Sequence, residues 1–69
     1  MITYYEISAY ESAQDNAPLA DRWITRNKRT ATKAAAVLFK SYARVEILKQ
    51  YADDDGDLNA FELFAEYTR

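Results

Sequence analysis

The chain contains no cysteine and no histidine, and only one glycine and one proline among its 69 residues. Without cysteine there is no disulfide, no thiolate nucleophile and no thiolate metal ligand. Without histidine the commonest general base and the commonest zinc ligand are both missing. Ser8, Ser12 and Ser41 therefore have no imidazole to activate them. A lone Gly56 cannot build a glycine-rich phosphate loop. Carboxylate pairs exist, such as Glu62 with Glu66 or the aspartates of 53–57, but in solvated segments that do not poise an acid for catalysis. A deep substrate pocket is hard to build in so short a chain. The sequence predicts a noncatalytic protein that needs no cofactor.

Long apolar runs are also missing, and nothing approaches the roughly 20 residues that span a bilayer. Residues 1–6, MITYYE, have neither the basic start nor the apolar stretch of a secretory signal. The expectation is a complete small gene product that stays in the cytoplasm and touches no membrane. Its length predicts a single domain, one that buries only about 60% of its unfolded surface and is marginally stable without good packing or a partner.

What the chain does have is bulk. Apolar residues make up 49% of it, including six tyrosines, three phenylalanines and one tryptophan. That is too hydrophobic for a disordered chain. Scarce glycine and proline leave most of the length free for regular structure.

Residues 51–62, YADDDGDLNAFE, admit two incompatible readings. In the first, Asp55-Gly56 is the tight turn of a C-terminal β-hairpin, because glycine tolerates positive φ. Val45, Ile47 and Tyr51 alternate with Arg44, Glu46 and Gln50 before it; Phe61, Leu63, Ala65 and Tyr67 alternate with Glu62, Phe64 and Glu66 after it. That is period two, one face apolar and the other mostly charged. In the second reading the stretch resembles an EF-hand calcium loop. With Gly56 at the sixth position, Asp53, Asp55, Asp57, Asn59 and Glu62 occupy ligand positions and Leu58 the usual apolar one. Tyr51 stands where the first carboxylate belongs, and no second loop is present to pair with it. The hairpin, which needs no metal, is the reading carried forward; calcium binding is its alternative.

The remaining elements follow from composition. Residues 2–11 are rich in aromatic and β-branched types and read as a strand, with Thr3, Tyr5, Ile7 and Ala9 on one face and Tyr4, Glu6, Ser8 and Tyr10 on the other. Polar turn formers before Pro18 make 12–20 a loop. A short second strand over 21–27 surrounds Trp23. Thr30 or Thr32 offers an N-cap to a helix running from Ala31 to about Tyr42, whose Ala31, Ala34, Ala35, Leu38 and Tyr42 form one stripe. The fold class is α+β: a ββαββ order with a four-stranded antiparallel sheet and one helix packed on one face.

One helix covers one sheet face. The bare face is expected to carry Tyr4, Glu6, Tyr10, Arg44, Glu46, Glu62, Phe64 and Glu66, aromatics amid charges, which suits protein binding. Tyr4, Tyr10 and Phe64 are the predicted anchors, Arg22 and Arg26 the steering cations, and Asp53, Asp54, Asp55 and Asp57 an acidic contact. The net charge is −2, with Arg22, Arg26, Lys28, Arg29 and Lys33 clustered mid-chain and the acids at the end. Mild acidity argues against duplex binding. The bipolar layout suits a charged protein partner or self-association, and a homodimer is compatible with it. Single-strand binding through Arg22, Arg26, Lys28 and Arg29 is a further alternative; the open-sheet aromatics resemble the stacking surface of RNA-recognition domains, without their glycine/aromatic strand motif.

In size and layout, over its whole length, the chain resembles the small proteins with which phages block host defences, such as anti-CRISPR proteins. The resemblance implies a stoichiometric inhibitor acting in the host cytoplasm, without cofactor, on a nucleic-acid-binding effector complex. The aspartates would then occupy a cation-lined channel that normally holds phosphate.

Overall fold

The computed structural model describes residues 2–18, 22–55 and 57–68, and the side chains of all of these except Leu58 and Asn59. Four strands and one helix follow in the order β1 (Ile2–Tyr10), β2 (Trp23–Thr25), α1 (Lys28–Leu38), β3 (Arg44–Ala52) and β4 (Leu58–Thr68). The strands form one sheet in the order β2-β1-β3-β4, every neighbouring pair antiparallel. This is the expected α+β, ββαββ architecture.

Alternation sets which residues meet the helix. Tyr5, Ile7 and Ala9 of β1 pair in register with Lys49, Ile47 and Val45 of β3. Ile7, Ala9, Val45 and Ile47 are at most 1% exposed, and they join Tyr5, Ala31 and Ala35 in the core. Ala31 and Ala35 carry only a methyl group, so α1 lies close against β1 and β3. Leu38, Phe39, Tyr42, Ala65 and Tyr67 pack around this centre.

The helix begins earlier than the threonines suggested. Asn27 is the N-cap, its side chain accepting from the Thr30 backbone N–H at 2.9 Å. An asparagine oxygen satisfies one of the free amides of the first turn as well as a hydroxyl does. Thr30 and Thr32 instead lie inside the first turns, and the Thr32 hydroxyl donates to the Lys28 carbonyl at 3.0 Å. Helical geometry ends at Leu38, before Tyr42, which still reaches the core from the following turn.

The two readings of 51–62 are decided by their flanks. An EF-hand loop joins two helices, whereas here strands β3 and β4 flank it. Inside the hairpin the Asp53 N–H donates to the Asp57 carbonyl at 3.0 Å. The Asp53 carboxylate accepts from the N–H groups of Asp55 and Asp57 at 3.1 and 3.0 Å, so it closes the turn. Tyr51 and Glu62 face each other across the arms, hydroxyl to carboxylate, at 2.7 Å. Gly56 and the Asn59 side chain, both part of the calcium reading, lie outside the described residues.

Candidate functional site

The sheet face opposite α1 is the candidate site, and its make-up depends on two irregularities in β4. The β3–β4 register shifts between Ile47 and Leu48 and again between Tyr51 and Ala52. Ile47 pairs with Ala65 but Leu48 pairs with Leu63, so Phe64 is an extra residue in the ladder. A bulge of one residue reverses the facing of one arm of the strand relative to the other. Ala65 and Tyr67 meet the helix side as expected, but Leu63 and Phe61 turn to the open face, while Glu62 and Phe64 turn away from it.

Phe64 is therefore corrected from an open-face anchor to a helix-side residue. Its ring meets Tyr5 edge-on at 5.4 Å between centroids, and the Lys28 ammonium lies 6.0 Å from the ring centre. Glu62 likewise leaves the predicted face.

Tyr10 is on the open face but is no anchor. It is 7% exposed. Its hydroxyl donates to Glu46 Oε1 at 2.7 Å, and the Arg44 guanidinium stacks 3.9 Å above its ring. Arg44 in turn donates to the carbonyls of Ala13 at 2.9 Å and Asp15 at 3.0 Å, tying the stretch that follows β1 to this end of the sheet. Burial pushes the Tyr10 phenol above its ordinary value; the Glu46 carboxylate adds to this and Arg44 opposes it.

The other end of the face is open and apolar. Register places Ile24 beside Glu6, then Leu48 and Leu63; the next row holds Tyr4, Gln50 and Phe61. Ile24, Phe61 and Leu63 are 65%, 65% and 54% exposed, and Tyr4 and Leu48 are half-buried. The polar groups among them satisfy one another. Gln50 donates to one oxygen of Glu6 at 2.6 Å, and Arg22 reaches the other at 3.2 Å. A partner can cover these groups without stranding them.

Of the predicted site residues, the structure brings Tyr4 and Arg22 to this apolar field, Arg22 through its ion pair with Glu6. Arg26 is exposed in the bend before α1. Asp54, Asp55 and Asp57 are exposed on the hairpin, and Asp53 is half-buried as its brace. Ile24, Leu48, Phe61 and Leu63 were missed as site residues. Alternation alone assigned Phe61 and Leu63 to the core, and no glycine marks the bulge at Phe64. Among the described residues no cluster of acidic groups is placed to hold a metal ion, and no helix is long and apolar enough to cross a membrane.

Comparison with known proteins finds no match: no family model, no curated protein and no solved structure corresponds to this chain.

Proposed function

We propose that the chain is a noncatalytic protein-binding module acting in the cytoplasm, with the open sheet face as its docking surface. The observation that carries this is the group of Ile24, Leu48, Leu63 and Phe61, three of them more than half exposed, on a part of the sheet face that no element among the described residues covers. Exposed apolar side chains grouped on one face, with satisfied polar neighbours, have the make-up of an interface centre.

The rim favours a particular partner chemistry. Glu46 and Glu66 pair in register at the border of the apolar field, and the aspartates of 53–57 extend beyond its other end. Arg44, the nearby cation, is committed to the loop carbonyls and to Tyr10. A partner with an apolar patch edged by lysine and arginine complements this field. Such edges occur on proteins that grip nucleic acid. The reading that follows is a phage-type, anti-CRISPR-like inhibitor that occupies the nucleic-acid-binding surface of an effector complex by stoichiometric binding.

The experiment is capture of a partner from bacterial lysate by the immobilised chain, beside Phe61→Asp/Leu63→Glu and Asp54→Asn/Asp55→Asn/Asp57→Asn variants. The captured partner is then assayed for nucleic-acid binding with and without the chain. The reading expects capture to be lost with the first variant and weakened with the second, and the partner's nucleic-acid binding to fall in proportion to added chain. Capture indifferent to Phe61 and Leu63 would remove the docking face from consideration.

A further inference from the structure

The opposite side of the molecule has a different character. Between Arg22 and Val45 the sequence holds seven of the nine basic residues and no acidic one. Arg22 belongs to the open face through Glu6, and Arg44 is tied to the Ala13 carbonyl. The other five, Arg26, Lys28, Arg29, Lys33 and Lys40, are all exposed. None of them has an ion-pair partner among the described residues. The strand carboxylates Glu6, Glu46 and Glu66 lie on the far face. Glu62, on the helix side, sits across from Lys49 and accepts from Tyr51. The net acidity of the chain is thus an average over two unlike sides.

Two further observations concern what the cationic side meets. Trp23 pairs in register with Ile7, so it lies on the helix side of edge strand β2, and it is 41% exposed. An exposed indole three residues before Arg26, on the edge strand that packs beside α1, offers a flat platform on the same side of the sheet as the helix. The second observation is a misplacement. Lys28 and Arg29 occupy the first turn of α1, which has no acidic residue. The N-terminus of a helix is its positive end, and cations there work against the helix. Lys28 lies over the Phe64 ring; Arg29 has no such contact among the described residues, and a charge set against its own helix is the kind of local conflict that functional sites carry.

We infer that this side binds single-stranded nucleic acid, with Arg26, Arg29 and Lys33 on successive phosphates and Trp23 stacked on a base. A cationic track beside an aromatic platform is the arrangement that holds a single strand without reading its sequence. An acidic protein would equally meet the cations, but it would leave Trp23 without a function. Arg22, the first residue of the single-strand set expected from sequence, is excluded because it serves the other face. This inference does not depend on the open-face reading and uses none of its residues.

The test is fluorescence anisotropy of a labelled oligothymidylate of about 12 nucleotides, a length within the usual single-strand site sizes, titrated with the full chain at several salt concentrations. Trp23, the sole tryptophan, provides a second signal through quenching of its emission. The expected dissociation constant at physiological salt is about 1–100 µM, tightening as salt is lowered. Replacing Arg26, Arg29 and Lys33 by glutamine should reduce the slope of log K against log salt by about 2, since each phosphate contact on a single strand contributes about 0.7. Trp23→Ala should weaken binding about tenfold or more, and Trp23→Phe should restore part of it. Circular dichroism checks that each variant is folded. The inference is overturned if no anisotropy change occurs at low salt, if the glutamine variant binds as well as the parent, or if polyglutamate displaces the oligonucleotide charge for charge. The Phe61→Asp/Leu63→Glu variant should bind the oligonucleotide as the parent does, which separates this result from the fate of the open-face reading.

Discussion

The Phe64 ring meets Tyr5 edge-on at 5.4 Å, across the width of β3, on the side of the sheet that carries the helix. The bulge makes this contact possible. It lifts Phe64 out of the alternation, gives the core a flank beyond Ile47, and in the same step exposes Leu63 and Phe61 on the opposite side. Packing and exposure are thereby divided between adjacent residues. Phe64→Ala should destabilise the fold by about 1.5 kcal/mol, less than the 3–5 kcal/mol of a fully buried phenylalanine because the ring is 39% exposed. Leu63→Ala should cost well under half of that. Urea denaturation of the two variants checks the ranking; equal losses would mean that Phe64 does not pack against Tyr5.

Much of this arrangement was legible in the residues. Strict alternation of Thr3, Tyr5, Ile7 and Ala9 against Tyr4, Glu6, Ser8 and Tyr10 gave the correct faces of β1, since a half-buried strand is fixed by which side is apolar. The alanine-rich stripe gave the helix and its buried side. What misled was continuity. Phe61, Leu63, Ala65 and Tyr67 alternate without a break, yet the ladder inserts Phe64 between them, and a bulge at a bulky residue leaves no mark like that of a glycine. Tyr10 misled for another reason. Its face was read correctly, but the stretch that follows β1 is tied to this end of the sheet by Arg44, 31 positions away from Ala13 in sequence, a pairing that periodicity cannot reveal.

That buried cluster has a consequence at high pH. Burial and Glu46 both raise the Tyr10 phenol above its ordinary value of about 10. The folded state therefore holds the proton more tightly than the unfolded one. Stability from this group is fully present below about pH 10, and it falls as pH rises from there through the higher folded value, because the unfolded chain ionises first. Urea midpoints should change little from this group between neutral pH and that point, and then decline. Tyr10→Phe should flatten part of the decline while lowering stability at neutral pH by about 1.5 kcal/mol, through loss of a hydrogen bond to a charged acceptor. A decline of the same size in both proteins would assign it to other groups.

The hairpin aspartates are not equivalent. Asp53 accepts from two backbone amides of the turn, whereas Asp55 and Asp57 supply those amides and expose their own side chains. Asp53→Ala should lower stability by about 1 kcal/mol, the usual effect of losing a side-chain cap. Asp55→Ala should change it by less than about 0.5 kcal/mol, as surface substitutions do. With Asp53 committed to the turn and strands on both sides, millimolar calcium should leave the melting temperature unchanged. A calcium-dependent rise would revive the ligand set Asp53, Asp55, Asp57, Asn59 and Glu62.

The helix terminus separates folding from binding most cleanly. Asn27 caps α1, so Asn27→Ala should cost about 1 kcal/mol, and Thr30→Ala far less, because the Thr30 hydroxyl is not the cap. Two residues further on, Arg29 opposes the dipole that Asn27 helps to seat. Arg29→Glu should therefore stabilise the helix, by about 0.3–1 kcal/mol at low ionic strength. The same substitution places a carboxylate on the cationic track and should weaken oligonucleotide binding more than Arg29→Gln does. Thermal melts and anisotropy on one preparation check both signs together. A charge reversal that raises stability and lowers affinity means that Arg29 is positioned for an anionic ligand at the expense of the helix. A reversal that lowers both would make it an ordinary structural residue.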